Sequence, residues 1–98
     1  MAERFAGRTA IVTGAATGGL GAAYAEALAA GGARVAVADI RGAQAEATAE
    51  RIEAAGGEAL PIEVDITDES SVDTMVSATV ERFGGVDILI NNAAVMFR

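Results

Sequence analysis

Three glycine pairs, Gly31-Gly32, Gly56-Gly57 and Gly84-Gly85, cut the sequence into units of about 25 residues that share one layout. Each unit opens with a short run rich in Val, Ile or Ala, continues into a longer helix-like stretch, and closes on the glycine pair. A left-handed residue suits the end of a helix at that point. The short runs are residues 9–13, 34–38, 59–64 and 86–90, and the helical stretches are residues 20–30, 42–55 and 69–83. Near-continuous apolarity in the short runs fits strands covered on both faces. Strand and helix alternating in this way call for parallel strands joined by right-handed crossovers. The expected class is α/β, and the alternation alone leaves the strand order open.

The third helical stretch carries Val72, Met75, Val76, Val80 and Phe83 at three- and four-residue spacing, one apolar stripe. Thr67 or Asp68 can cap its start, with Glu69 in the first turn where negative charge suits the helix dipole. Ser70, Ser71 and Ser77 have no base near them in sequence and read as capping or surface residues.

The length of 98 residues fits one domain, spanning residues 1–98. A hydrophobic share of 52% against 21% charged is that of a globular chain. The net charge of −7 argues against nucleic acid as a partner. No apolar run approaches the roughly 20 residues that span a bilayer, so no membrane partner is expected. The first residues lack the layout of a signal peptide, and the expected location is the cytoplasm. The sequence has no Cys, His or Lys, which removes thiolate nucleophiles and the commonest proton carriers near neutral pH. Neither a catalytic residue nor a metal-ligand set is assigned.

The segment TGAATGGLG, residues 13–21, stands between the first strand and the first helix. A phosphate-binding G-x-x-x-x-G-K-[ST] loop fails here, because Leu20 occupies the lysine position. G-x-G-x-x-G fails as well, because Gly19-Leu20-Gly21 leads to Tyr24. Even so, a glycine-rich turn opening a helix lets backbone N–H groups approach a pyrophosphate and presents the positive end of the helix dipole to it. Asp39 ends the second strand, about 20 residues past that loop, where a carboxylate can accept bonds from adenosine ribose hydroxyls. The same charge repels a 2′-phosphate and favours NAD over NADP. Arg41, two residues on, can bind a phosphate. Asp39, nearer the strand end, is expected to dominate.

Together these motifs resemble the short-chain dehydrogenase/reductase family. Its T-G-x-x-x-G-x-G pattern is matched by Thr13 to Gly18 and then by Gly19-Leu20-Gly21, with one residue more inside the turn. The segment DILINNAAV, residues 87–95, is similar to the family's N-N-A-G motif, with Ala94 in place of the last glycine. The resemblance implies a Rossmann-type doubly wound sheet truncated to four strands in the order 3-2-1-4. It implies that Gly14, Thr17, Gly18, Gly19, Leu20 and Gly21 hold a pyrophosphate. Asp39 and Ile40 would take the adenosine ribose, Asp65 and Ile66 the adenine, and Asn91 and Ala93 the other ribose. The implied cofactor is NAD, and the implied reaction is hydride transfer between NAD and an alcohol or carbonyl substrate.

The family's catalytic tyrosine works as Tyr-x-x-x-Lys, and Tyr24 is followed by Leu28, so Tyr24 reads as a packing residue of the first helix. The family's catalytic Asn, Ser, Tyr and Lys would lie beyond residue 98, so this chain alone is expected to catalyse no dehydrogenation. A small-molecule substrate is expected only with that downstream half present. The fourth strand would then have an open edge and an apolar surface around Ile88 and Ile90, favouring a homo-oligomer or pairing through the sheet edge. Two other readings stay open: a dinucleotide-binding module without catalysis, and a structural fragment that binds nothing well.

Overall fold

A computed structural model describes residues 4–16 and 18–92. Within it, four strands form one parallel sheet: β1 (Thr9–Thr13), β2 (Arg34–Asp39), β3 (Glu58–Glu63) and β4 (Ile88–Asn91). Helices α1 (Leu20–Ala30), α2 (Gly42–Ala54) and α3 (Glu69–Phe83) connect them in turn. The strand order is β3-β2-β1-β4, the order expected from the motifs. Gly32, Gly56 and Gly84 follow the three helices with φ of +98°, +94° and +91°, so one residue of each glycine pair takes the left-handed position.

Strand ends differ from the sequence reading by one or two residues, each for a local reason. β2 reaches Asp39 because that residue still pairs in register with Glu63. β3 begins at Glu58 and ends at Glu63, and its exposed Glu58, Pro61 and Glu63 suit a sheet edge, where charge and a missing N–H discourage further pairing. β4 starts at Ile88 because Asp87 is spent on the first rung. Its Oδ2 accepts the Thr9 N–H at 2.9 Å, and its own N–H donates to the Thr9 carbonyl at 2.8 Å. α2 ends at Ala54 rather than at 55.

The sheet separates two cores. On one face, Val12, Val35 and Val37 pack with Ala25 of α1 and with Ala49 and Ile52 of α2. On the other, Ile11, Ala36 and Ala38 meet Met75 of α3, with Val64 joining from the chain just past β3. A fully buried Val or Ile contributes about 1.5–3 kcal/mol, so the β1 and β2 side chains dominate the stability of this small sheet. The face changes after β3 because the chain must travel back across β2 and β1 to reach the position of β4.

Three expectations about burial are corrected. In α3 the buried side is Met75, Thr79 and Phe83, while Val76 and Val80 are exposed. The stripe is rotated because Thr79 satisfies its hydroxyl on the Met75 carbonyl at 2.8 Å and so can enter the core. Tyr24 is 42% exposed and packs only in part. On β4, Ile88 and Ile90 are half-buried and the uncovered side chain is Leu89, 61% exposed. Leu89 pairs in register with Ile11, on the face where α3 lies over β2 and β3. Ile90 points the other way, into the α1–α2 core.

Candidate functional site

The candidate residues gather at the carboxyl ends of β1, β2, β3 and β4. β1 lies between β2 and β4, with the first two crossovers on one face and the third on the other. The connections therefore diverge at the β1–β4 boundary, which opens a crevice at the strand ends. The loop leaving β1 is fixed there from three sides. From β4, the Thr13 hydroxyl donates to Asn91 Oδ1 at 3.0 Å, and Asn92 Nδ2 donates to the Gly14 carbonyl at 3.2 Å. From β2, the Ala38 carbonyl accepts the Ala15 N–H at 3.0 Å. From α2, the buried Thr48 hydroxyl donates to the Ala15 carbonyl at 2.7 Å.

The glycines of the loop divide into two kinds. Gly14 and Gly18 have φ of +66° and +88°, where a side chain would be strained. Gly21 instead is buried in the first turn of α1. A Cβ there would overlap the Gly14 carbonyl oxygen and come within 2.9 Å of Asn92 Nδ2. Its role is to let the helix start close against β1 and β4. A Cβ at Gly18 would meet nothing within 4 Å among the described residues, and one at Gly19 would meet only the Ala16 carbonyl oxygen, at 3.4 Å. α1 starts from Gly19 with no side-chain cap and no acidic residue in its first turn. The residues present thus suit an anion: open space, uncapped N–H groups and the positive end of a helix dipole.

Asp39 is 6% exposed at the end of β2. Its Oδ1 accepts the Arg41 backbone N–H at 2.8 Å and faces Arg41 Nε at 3.4 Å. Oδ2 takes no hydrogen bond among the described residues. Ile40, beside it, is 63% exposed, an apolar side chain available to a ring. Asp65 lies just past β3, with its N–H donated to the Ser71 hydroxyl of α3 at 2.9 Å. Its Oδ1 accepts from the Thr67 hydroxyl at 2.6 Å and the Thr67 N–H at 2.9 Å. The Thr67 hydroxyl first, then its N–H, hold the Asp65 carboxyl below the usual carboxylate range, against a smaller opposing effect of desolvation. Ile66 is half-buried against the α3 core.

Gly14, Gly18, Gly19, Leu20 and Gly21 are therefore in one loop and helix start, with Asn91 tied to it directly. Asp39 with Ile40, and Asp65 with Ile66, stand at the ends of the next two strands. Thr17 and Ala93 lie outside the described residues. Thr48 escaped the sequence reading as a site residue. Its only signal was a hydroxyl among Ala45, Ala49 and Ile52 on the buried side of α2. Ser71, read as a capping or surface residue, anchors the Asp65 turn. A separate concavity of 390 Å³ between α1 and α2, lined by Ala27, Ala30, Ile52 and Ala55 among others, holds none of the sequence-predicted residues. No helix among the described residues is long and apolar enough to cross a membrane.

Comparison with known proteins agrees with this geometry. The family profile described as short chain dehydrogenase matches residues 8–98. A sorbitol dehydrogenase of Cereibacter sphaeroides is 48% identical over 92 residues, covering 94% of this chain and 34% of that protein. A galactitol 2-dehydrogenase of Agrobacterium fabrum is 45% identical over the same 94% share of this chain and 34% of its own length. Among solved structures, a hydroxysteroid dehydrogenase from Escherichia coli superposes with a TM-score of 0.90 at 37% identity, over 95% of this chain and 39% of that one. The chain thus spans little more than a third of the length of these relatives.

Proposed function

Because the chain belongs to the short-chain dehydrogenase family, we propose that residues 1–98 are the NAD-binding part of an oxidoreductase. The uncapped start of α1, opening beside Asp39 at the switch point of the sheet, carries this reading. In it, the N–H groups of Gly18 and of the start of α1 from Leu20 onward receive the pyrophosphate. Gly19, whose own N–H is taken by the Ala16 carbonyl at 3.1 Å, leaves room for it, and Thr17 is assigned to it as well. Gly14 and Gly21 hold the turn against β4. Asp39 Oδ2 accepts from the adenosine ribose while Ile40 lies along it. Asp65 and Ile66 take the adenine, and the backbone at Asn91 and Ala93 borders the second ribose. When bound, the nicotinamide supplies the hydride acceptor, and these residues supply position and electrostatics.

The proposed reaction oxidises an alcohol to a carbonyl, or the reverse, in the protein that carries this chain. The outer edge of β4 pairs with no strand among the described residues, and we assign it to a strand from elsewhere in the protein or from a second copy. Calorimetric titration of the intact protein with NAD and NADP tests the cofactor assignment. NAD should bind more tightly, and Asp39→Asn should narrow the gap by about tenfold, as expected when a charged acceptor at the ribose is lost. An unchanged gap in that variant would reject the role given to Asp39.

A further inference from the structure

Thr48 is fully buried on α2, and its hydroxyl makes two unequal contacts. A threonine inside a helix ordinarily turns its hydroxyl to the carbonyl four residues back. Thr79 of α3 does so, on the Met75 carbonyl at 2.8 Å. In Thr48 that contact, to the Gln44 carbonyl, is the longer at 3.3 Å. The shorter, at 2.7 Å, leaves the helix for the Ala15 carbonyl of the glycine loop. Ala15 is held by its N–H as well, on the Ala38 carbonyl at 3.0 Å. Its carbonyl is thereby turned toward α2, and in a planar trans peptide the Ala16 N–H must point the opposite way. That N–H donates to no group among the described residues, although Ala16 is only 6% exposed and its carbonyl is taken by Gly19. A nearly buried donor without an acceptor calls for one.

Resting on the dinucleotide reading, we infer that Thr48 is a positioning residue for nucleotide binding, which turns the Ala15–Ala16 peptide so that the Ala16 N–H is presented to an oxygen of the dinucleotide. α2 starts at Gly42, just past Asp39. The helix that follows the ribose carboxylate therefore also sets the direction of a donor in the glycine loop. Without the hydroxyl, the Ala15 carbonyl is left buried and unsatisfied, and the peptide relieves this by rotating. The Ala16 N–H turns away with it. With the hydroxyl in place, the donor is aimed before the ligand arrives.

Calorimetry with ADP and NMR of the ¹⁵N-labelled intact protein test this on the wild type, Thr48→Val and Thr48→Ser, under conditions where all three are folded. Val keeps the shape and loses the hydroxyl, whereas Ser keeps the hydroxyl and loses a buried methyl, so both variants should be less stable. Binding should not follow stability. Thr48→Val should bind ADP about tenfold more weakly, and Thr48→Ser within about twofold of the wild type. ADP should move the Ala16 amide proton downfield in the wild type and in Thr48→Ser, and leave it in place in Thr48→Val. Equal ADP affinity in the wild type and Thr48→Val would overturn the proposal. So would an equal loss in both variants, which would mean that Thr48 only packs, or an Ala16 amide unmoved by ADP in the wild type. If the wild type bound no ADP, the dinucleotide reading would fall and this inference with it. A loss confined to Thr48→Val bears on Thr48 alone.

Discussion

Helices α1 and α3 both start at the carboxyl edge of the sheet, yet their first turns are built in opposite ways. α3 closes its own end: Asp68 accepts the Ser70 N–H at 3.0 Å, and Glu69 adds a negative charge in the first turn. α1 begins on glycines, with no cap and no acid. Its position is set by close backbone packing at Gly21 rather than by a side chain. A capped end is complete in the empty protein, whereas an uncapped end facing open space leaves its N–H groups for water or for an incoming anion. The chain thus finishes one helix from within and leaves the other to be finished by a ligand.

The contrast can be broken most severely at Gly21. Gly21→Ala should destabilise the protein by about 1–3 kcal/mol or more in urea unfolding, because neither the Gly14 backbone nor α1 can yield without disturbing the other. Nucleotide binding should be lost with it. Next, Asp68→Ala should cost about 1 kcal/mol in the same assay and leave nucleotide affinity unchanged, since the cap it removes serves α3 alone. Gly19→Asp makes α1 resemble α3. The empty protein should gain a few tenths of a kcal/mol in stability, while NAD binding should weaken by about tenfold through repulsion of the pyrophosphate. A gain in stability without loss of binding would mean that the start of α1 is not where the anion sits.

The smallest effect concerns the turn before α3. The Asp65 carboxyl is held below its ordinary value, so its contribution to stability is present above the unfolded value, about 3.9, and disappears as pH falls through the lower folded value. Thr67→Val removes the hydroxyl that dominates the shift. The stability difference between wild type and variant should therefore be greatest near neutral pH and shrink in acid. NMR titration of Asp65 should show its midpoint rising in the variant.

Much of this was legible because the decisive residues act locally. The limits of α1, α3 and β1 follow from apolar spacing and flanking glycines, and the strand order follows from a loop that makes sense only at a switch point. Asp39 and Asp65 are recognisable as strand-end carboxylates for the same reason. Harder to read were residues whose roles depend on distant partners. Asp87 looks like strand sequence until its carboxylate is seen on the Thr9 N–H. Alternation along β4 separates Leu89 from Ile88 and Ile90, but which face is bare depends on where α3 lies. Thr48 and Thr79 are polar letters in apolar stripes, and only their carbonyl partners explain the burial. Gly21 reads as freedom for a ligand, whereas its neighbours Gly14 and Asn92 make it a matter of packing.

The grip of β4 on the glycine loop also bears on the order in which the molecule assembles. Two of its side-chain bonds, Thr13 to Asn91 and Asn92 to Gly14, join residues 78 positions apart. On the ribosome, every glycine of the loop emerges long before the asparagines that fasten it. Chains fold largely as their segments become available, and contacts between distant positions form late. The β1–β2–β3 layers can therefore associate while the nucleotide site is still unfastened. Dissolved nucleotide stabilises only the finished site, so it slows the loss of the folded protein more than it hastens its formation.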